Sequence, residues 1–264
     1  MTNEKIDYQA LLPSILEIAK KAGEITLSYY HSDEAIEYSE KKDASPVTQA
    51  DLAADRYIQK ALISLTDFHY LSEETKVAPY EERKDWETFW IVDPLDGTKE
   101  FIKKSDEYTV NIALMHKEEL VLGVVYAPAK KTLYYGCKDL GAYRQIDEGS
   151  IEKLPLKRDD NEVRVVVSKS HLTKQCEEYI QTLQKKWGEK LKTVSIGSSL
   201  KFCLLAEGSA EIYPRFGPTM EWDTAAGHAV LIYSGGEIQE HALTYNKRLL
   251  KNGKFIAFSY RAFQ

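Results

Sequence analysis

The segment Trp90-Ile-Val-Asp93-Pro-Leu-Asp96-Gly-Thr98 constrains this chain more than any other, because it runs an apolar strand straight into two carboxylates. Asp93 sits at the end of that strand, and Pro94 fixes the backbone and turns the chain. In such a turn Asp96 curls back beside Asp93, and the Leu95 carbonyl joins them. Two carboxylates and a carbonyl make an oxygen-only site of the kind Mg²⁺ prefers. Gly97 permits an unusual backbone angle, and Thr98 then opens a helix whose free amides favour an anion. The same residues also fit an Asx-turn that does no more than cap a helix.

Covalent aspartyl chemistry of the D-x-D-G-T kind is disfavoured at this turn, since the residue two before Asp96 is Pro94, which carries no nucleophile. Three other stretches bring acids to element ends. Glu73 and Glu74 follow Tyr70-Leu71-Ser72 at the end of a predicted strand, where a pair of acids is repulsive unless solvated or neutralised by a cation. Asp51 stands three residues after Thr48, the spacing of a capping box, and a helix start also suits a buried carboxylate. Asp223, in Glu221-Trp-Asp223-Thr224, falls at a helix start and is readable as an N-cap. For anions, Gly197-Ser198-Ser199-Leu200-Lys201 begins a predicted helix and offers amides, a hydroxyl and an ammonium.

Hydrophobic periodicity predicts helices over 8–30 and 49–65 and short buried strands over 68–72 and 89–92. A meander of strands over 108–115, 120–126 and 132–135 follows. Beyond a polar stretch, 148–161, come a strand over 163–167, a helix over 173–185, a strand over 191–196 and a helix over 198–207. A strand over 210–213, a helix over 223–233 and terminal strands complete the chain. This is an α/β pattern, α+β in the first half and alternating α/β in the second. It divides into 1–155, carrying most of the acids, and 156–264, carrying Asp223 and the anion-side residues, within one compact unit.

A net charge of −6 leaves no basic field for nucleic acid, and no apolar run is long enough to span a bilayer. The N-terminal residues lack a secretion-signal pattern. The three scattered cysteines, Cys137, Cys176 and Cys203, suit a reducing cytoplasm better than disulfides or zinc. Peripheral membrane contact is left open, as is the choice between monomer and homodimer.

Together, Pro46-Val-Thr-Gln-Ala-Asp51, Ser72-Glu-Glu74, the Trp90 to Phe101 segment and Gly217 through Gly227 resemble the inositol monophosphatase-like superfamily of lithium-sensitive, metal-dependent phosphatases. Thr98-Lys-Glu-Phe101 and Tyr213-Pro-Arg-Phe-Gly-Pro-Thr219 are most similar to its 3'(2'),5'-bisphosphate nucleotidase branch, which acts on adenosine 3',5'-bisphosphate. The resemblance implies a layered αβαβα sandwich of the inositol monophosphatase/fructose bisphosphatase type. It further implies two or three Mg²⁺ held by Glu73, Asp93, the Leu95 carbonyl, Asp96 and Asp223, with Glu74 at the edge. Asp51 and Thr98 would orient and help deprotonate an attacking water, and Glu73 would share in catalysis. Gly97, Thr98, Ser170, His171, Ser198, Lys201, Arg215 and Asp223 would contact the substrate. Inhibition by Li⁺ or Ca²⁺ is expected on the same ground. An inositol or sugar-phosphate phosphatase, or a non-catalytic nucleotide or metal sensor on the same scaffold, is the alternative reading.

Overall fold

The computed structural model describes residues 6–32, 36–41, 46–169, 172–239 and 243–263. Ser170 and His171 lie outside them. The N-terminal helix, Tyr8–Tyr30, starts where the Asp7 carboxylate accepts the Ala10 amide at 3.0 Å. Its Leu12, Ile15, Ile18, Ala19 and Ala22 recur at helical spacing and are buried. The second helix, Gln49–Leu65, is capped by Thr48 and buries Ala50, Ala54, Ile58 and Leu62. These two faces close over one side of a large sheet.

That sheet has seven strands in sequence order: His69–Ser72, Thr88–Asp96, Thr109–His116, Glu119–Ala127, Thr132–Cys137, Gly141–Ile146 and Ile151–Lys153. The first pair is parallel and the others antiparallel. Both faces are covered, so its central strands are apolar almost throughout instead of alternating. In Thr88–Asp96, Trp90 and Val92 face the first two helices, whereas Phe89 and Ile91 face Leu200, Cys203, Ala225 and Ala229. Those last residues belong to helices Leu200–Glu207 and Trp222–Tyr233, which form the middle layer.

A second, five-stranded sheet runs in the order Leu191–Ile196, Val163–Ser168, Ile212–Arg215, Phe255–Phe258, Glu237–Gln239. Phe202, Leu205 and Leu231 of the middle layer pack on Val166, Tyr213 and Phe255 of this sheet. Helix Lys174–Trp187 covers its outer face through Cys176 and Leu183 against Val165, Val167 and Ile256. Helix, sheet, helix, sheet, helix is the αβαβα layering expected. All three cysteines are free and buried, and among the described residues no helix is long and apolar enough to cross a membrane.

Several boundaries differ from expectation. The strand predicted over 89–92 does not end at Val92; it continues to Asp96 through a bulge, two residues (Pro94 and Leu95) standing opposite Val110 alone. Pro94 therefore bends a strand instead of ending it. Within the stretch read as a polar boundary, Ile151–Lys153 adds an edge strand to the large sheet. Helix 200–207 begins two residues late because Ser198 adopts a left-handed conformation, φ 50°.

Candidate active site

Strand pairing builds the site. Ser72 and Val92 are parallel partners, so the next residues of the two strands, Glu73 and Asp93, leave the sheet side by side. The Glu73 amide donates to the Val92 carbonyl at 3.3 Å and holds this splay. The third carboxylate arrives from the middle layer. Asp223 lies in the first turn of Trp222–Tyr233, and its Oδ2 accepts the Met220 amide at 2.8 Å. It is not the N-cap; Glu221 is, without a side-chain capping bond. One oxygen from each of Glu73, Asp93 and Asp223 lies within 4.8 Å of the others.

Asp96 stands outside that trio but lines the same cleft. Its Oδ2 accepts the Ser199 amide at 2.5 Å. After it, Gly97 takes φ 94°, a left-handed angle that opens the five-residue helix Thr98–Ile102. The Thr98 hydroxyl lies 3.3 Å from Asp51 Oδ1 and 3.4 Å from the Leu95 carbonyl. Asp51, in turn, accepts both the Thr48 amide at 2.8 Å and the Thr48 hydroxyl at 2.5 Å through Oδ2. Asp51 thus completes the capping box and keeps Oδ1 for Thr98.

Burial makes these acids hard to ionise. Desolvation, then Glu73, Asp96 and Asp223, raise the Asp93 carboxyl well above the carboxylate range. Desolvation does the same to Asp223, with Asp96 and Glu73 adding to it. Asp96 rises to about 6 through burial, against the lowering effects of Lys201 and the Ser199 amide. Asp51 also rises to about 6, mainly by burial and despite its Thr48 bonds. Such a concentration of buried, mutually repelling oxygens fits a hard divalent cation, which would restore their charge.

One side chain at this site escaped the sequence reading. Lys41 reaches Glu73 at 2.6 Å and Glu74 at 2.5 Å, a partial substitute for a cation. Burial chiefly raises Glu74 to about 7, and its carboxylate is not part of the three-oxygen cluster. The sequence marked Glu73 and Glu74 as acids in want of a cation, but no local pattern linked Lys41 to them.

Across the cleft lie the cationic groups. Lys201 is buried, donates to the Ser198 carbonyl and sits 5.6 Å from the centre of the Tyr213 ring. Desolvation brings its ammonium down to about 8. Arg215 donates to the Pro218 carbonyl at 2.9 Å and keeps a buried Nε that has no hydrogen-bond partner among the described residues. The ring of Tyr213, read in the sequence only as part of a motif, lines the cleft edge-to-face with Phe202. Glu73, Asp93, Asp96, Gly97, Thr98, Ser198, Lys201, Arg215 and Asp223 thus share one cleft, with Asp51 behind Thr98.

An αβαβα protein with an all-oxygen acidic cluster facing two cations is built to take a divalent ion and an anion together. Residues 7–264 match the inositol monophosphatase family, and the chain belongs to that family. The 3'(2'),5'-bisphosphate nucleotidase CysQ of Salmonella typhimurium is 47% identical over 231 residues, 87% of this chain and 90% of that protein. CysQ of Escherichia coli K12 is 45% identical over the same shares. The crystal structure of CysQ from Bacteroides thetaiotaomicron superposes with a TM-score of 0.87 at 44% identity, covering 97% of this chain and 100% of that one.

Proposed function

We propose that this chain is a Mg²⁺-dependent 3'(2'),5'-bisphosphate nucleotidase that hydrolyses the 3'-phosphate of adenosine 3',5'-bisphosphate to AMP and phosphate. The observation that carries the reading is the meeting of Glu73, Asp93 and Asp223 oxygens within 4.8 Å, opposite Lys201 and Arg215. The names of the relatives supply the substrate class. Glu73, Asp93, the Leu95 carbonyl, Asp96 and Asp223 would hold two or three ions, which supply charge neutralisation and polarisation of the phosphoryl oxygens.

The remaining work falls to the chain's own groups. Asp51 Oδ1 draws the Thr98 hydroxyl proton, which turns a Thr98 lone pair towards the attacking water. With its pKa at about 6, Asp51 can take up a proton near neutrality, so the Thr98–Asp51 pair orients the water and accepts its proton. Attack is in line, without a phosphoenzyme. Ser198, Lys201 and Arg215 receive the second phosphate, Lys201 as a point charge and Arg215 through its guanidinium at the cleft wall. Gly97 and Thr98 line the reacting phosphate. Ser170 and His171 are assigned to the nucleotide pocket by resemblance alone. The 1–155 half supplies most of the ion ligands, and 156–264 supplies Asp223 and the nucleotide side.

Inhibition by Li⁺ and Ca²⁺, a cytoplasmic location suited to three reduced thiols, and clearance of the nucleotide by-product of sulfur metabolism belong to the same proposal. The test is phosphate release from adenosine 3',5'-bisphosphate, inositol 1-phosphate and fructose 1,6-bisphosphate, with Mg²⁺ and with a chelator. The bisphosphate nucleotide is expected to lead and the chelator to abolish turnover. Preference for inositol 1-phosphate, or turnover indifferent to chelation, refutes the assignment.

A further inference from the structure

Asp96 is held by a chain of buried polar groups that begins on the next strand and passes through the other half of the molecule. Thr109 pairs with Asp96 in the large sheet, and Asn111 pairs with Asp93. Both side chains project to the cleft face, where Ser199 meets them ahead of helix Leu200–Glu207. Thr109 Oγ1 lies 2.8 Å from Ser199 Oγ, and Ser199 Oγ lies 2.8 Å from Asn111 Oδ1. Asn111 Nδ2 then faces Asp96 Oδ2 at 3.4 Å, and the Ser199 amide reaches the same oxygen at 2.5 Å. Thr109, Asn111 and Ser199 are each no more than 3% exposed.

The chain has a direction. The Ser199 hydroxyl donates to Asn111 Oδ1, which turns the Asn111 NH₂ towards Asp96; Thr109 then donates to Ser199. Every donor in the chain points towards a single carboxylate oxygen. Asp96 Oδ1 accepts no hydrogen bond from any described residue. Asp96 follows a bulge and precedes a left-handed glycine, and beyond these donors the Lys201 ammonium also favours its charge. Repulsion from Glu73 would otherwise push it away from the cluster.

We propose that Asn111, set by Thr109 and Ser199, is a positioning residue that occupies Asp96 Oδ2 and leaves Oδ1 as the single oxygen offered to a cation. The inference rests on the metal-site reading above and adds a consequence for ion choice. A carboxylate oxygen that already accepts two hydrogen bonds is a poorer second ligand to an ion held by the other oxygen. Mg²⁺, small and strictly octahedral, is served by single oxygens, whereas Ca²⁺ readily takes two from one carboxylate. The tether therefore favours Mg²⁺ over Ca²⁺ at this ligand.

The experiment is calorimetric titration of metal-stripped wild type, Asn111→Ala and Thr109→Val with MgCl₂ and with CaCl₂, alongside melting of the metal-free proteins. Loss of such a supporting partner typically costs about tenfold or more in metal affinity. Asn111→Ala removes one of the two donors on Oδ2 and leaves the Ser199 amide, so it is expected to weaken Mg²⁺ by up to about that factor and Ca²⁺ distinctly less, and the Mg²⁺/Ca²⁺ affinity ratio falls. Thr109→Val is expected to shift the ratio in the same direction by a smaller amount, and it decides the matter alone if Asn111→Ala does not fold. An unaltered ratio in the folded variants, with wild type binding normally, overturns this inference only. Failure of wild type to bind either ion overturns the metal-site reading, and this inference with it.

Discussion

Asp93 is the residue at which folding and function conflict most sharply. It is 1% exposed, and Glu73, Asp96 and Asp223 all oppose its ionisation. A carboxylate placed there costs the metal-free protein stability that bound cations would return. Asp93→Asn keeps the shape and removes the charge. Its metal-free form is expected to melt a few degrees above wild type near pH 7, at about 2–4 °C per kcal/mol for a chain of this size. The rise in melting temperature that Mg²⁺ gives the wild type should largely vanish. Scanning calorimetry of both proteins, with and without Mg²⁺, checks this, and a lower metal-free midpoint for the variant would contradict it. Much at this scale could be read in the chain, because Asp93, Asp96 and Gly97 lie within one short local pattern. Lys41 could not, since it reaches Glu73 and Glu74 from more than thirty positions away. Asn111 was equally hidden. In sequence it is a polar residue within an apolar strand, and only the strand register places it beside Asp93.

Among the elements, helix Trp222–Tyr233 matters most, because it carries Asp223 and lies directly on the large sheet. Its approach is close. A Cβ added at Gly123 would stand 2.5 Å from the Ala226 carbonyl oxygen and 2.6 Å from Ala229 Cβ. Neither neighbour is a flexible tip, so Gly123→Ala must displace the helix. A cost of about 1–3 kcal/mol is expected from overpacking. Turnover should fall as well, with kcat affected beyond what the unfolded fraction explains, since Asp223 moves with its helix. Unchanged kcat and melting temperature would show that the interface is looser than these distances require. Periodicity made the helices legible, because Ile15, Ile18 and Ala22 follow one face of the first, and Ala54, Ile58 and Leu62 one face of the second. It could not foresee the bulge after Asp93, where Pro94 reads as a stop but lies within a strand. Nor did it find the edge strand Ile151–Lys153, whose exposed side chains resemble a loop.

For the whole molecule, stability is expected to depend on pH through the packing beneath the middle layer. His228, on the same helix, is only partly exposed and has its Nδ1 3.0 Å from the Tyr245 hydroxyl. Desolvation lowers its pKa from 6.5 to about 4. The unfolded chain therefore binds this proton more readily than the folded one. The stabilisation is complete above pH 6.5 and is lost as pH falls towards 4, to a ceiling of about 3 kcal/mol. The buried carboxylates shift the opposite way, so the comparison must be with His228→Gln. The stability difference between wild type and that variant should be flat above pH 6.5 and shrink below it; a constant difference from pH 4 to 7 counts against the assignment. The alternation of predicted elements gave the α/β class and the family resemblance gave the layer order, but which helices shared the middle layer was not legible, since that depends on contacts between distant segments.

The tie between Asp96 and the Ser199 amide joins residues 103 positions apart. A nascent polypeptide therefore exposes Glu73, Asp93 and Asp96 well before the ribosome has delivered the amide that orients one of them, and longer still before Asp223 appears. Until then the three-carboxylate cluster is incomplete, so catalytic competence would arise only after all of these segments have been made and brought together.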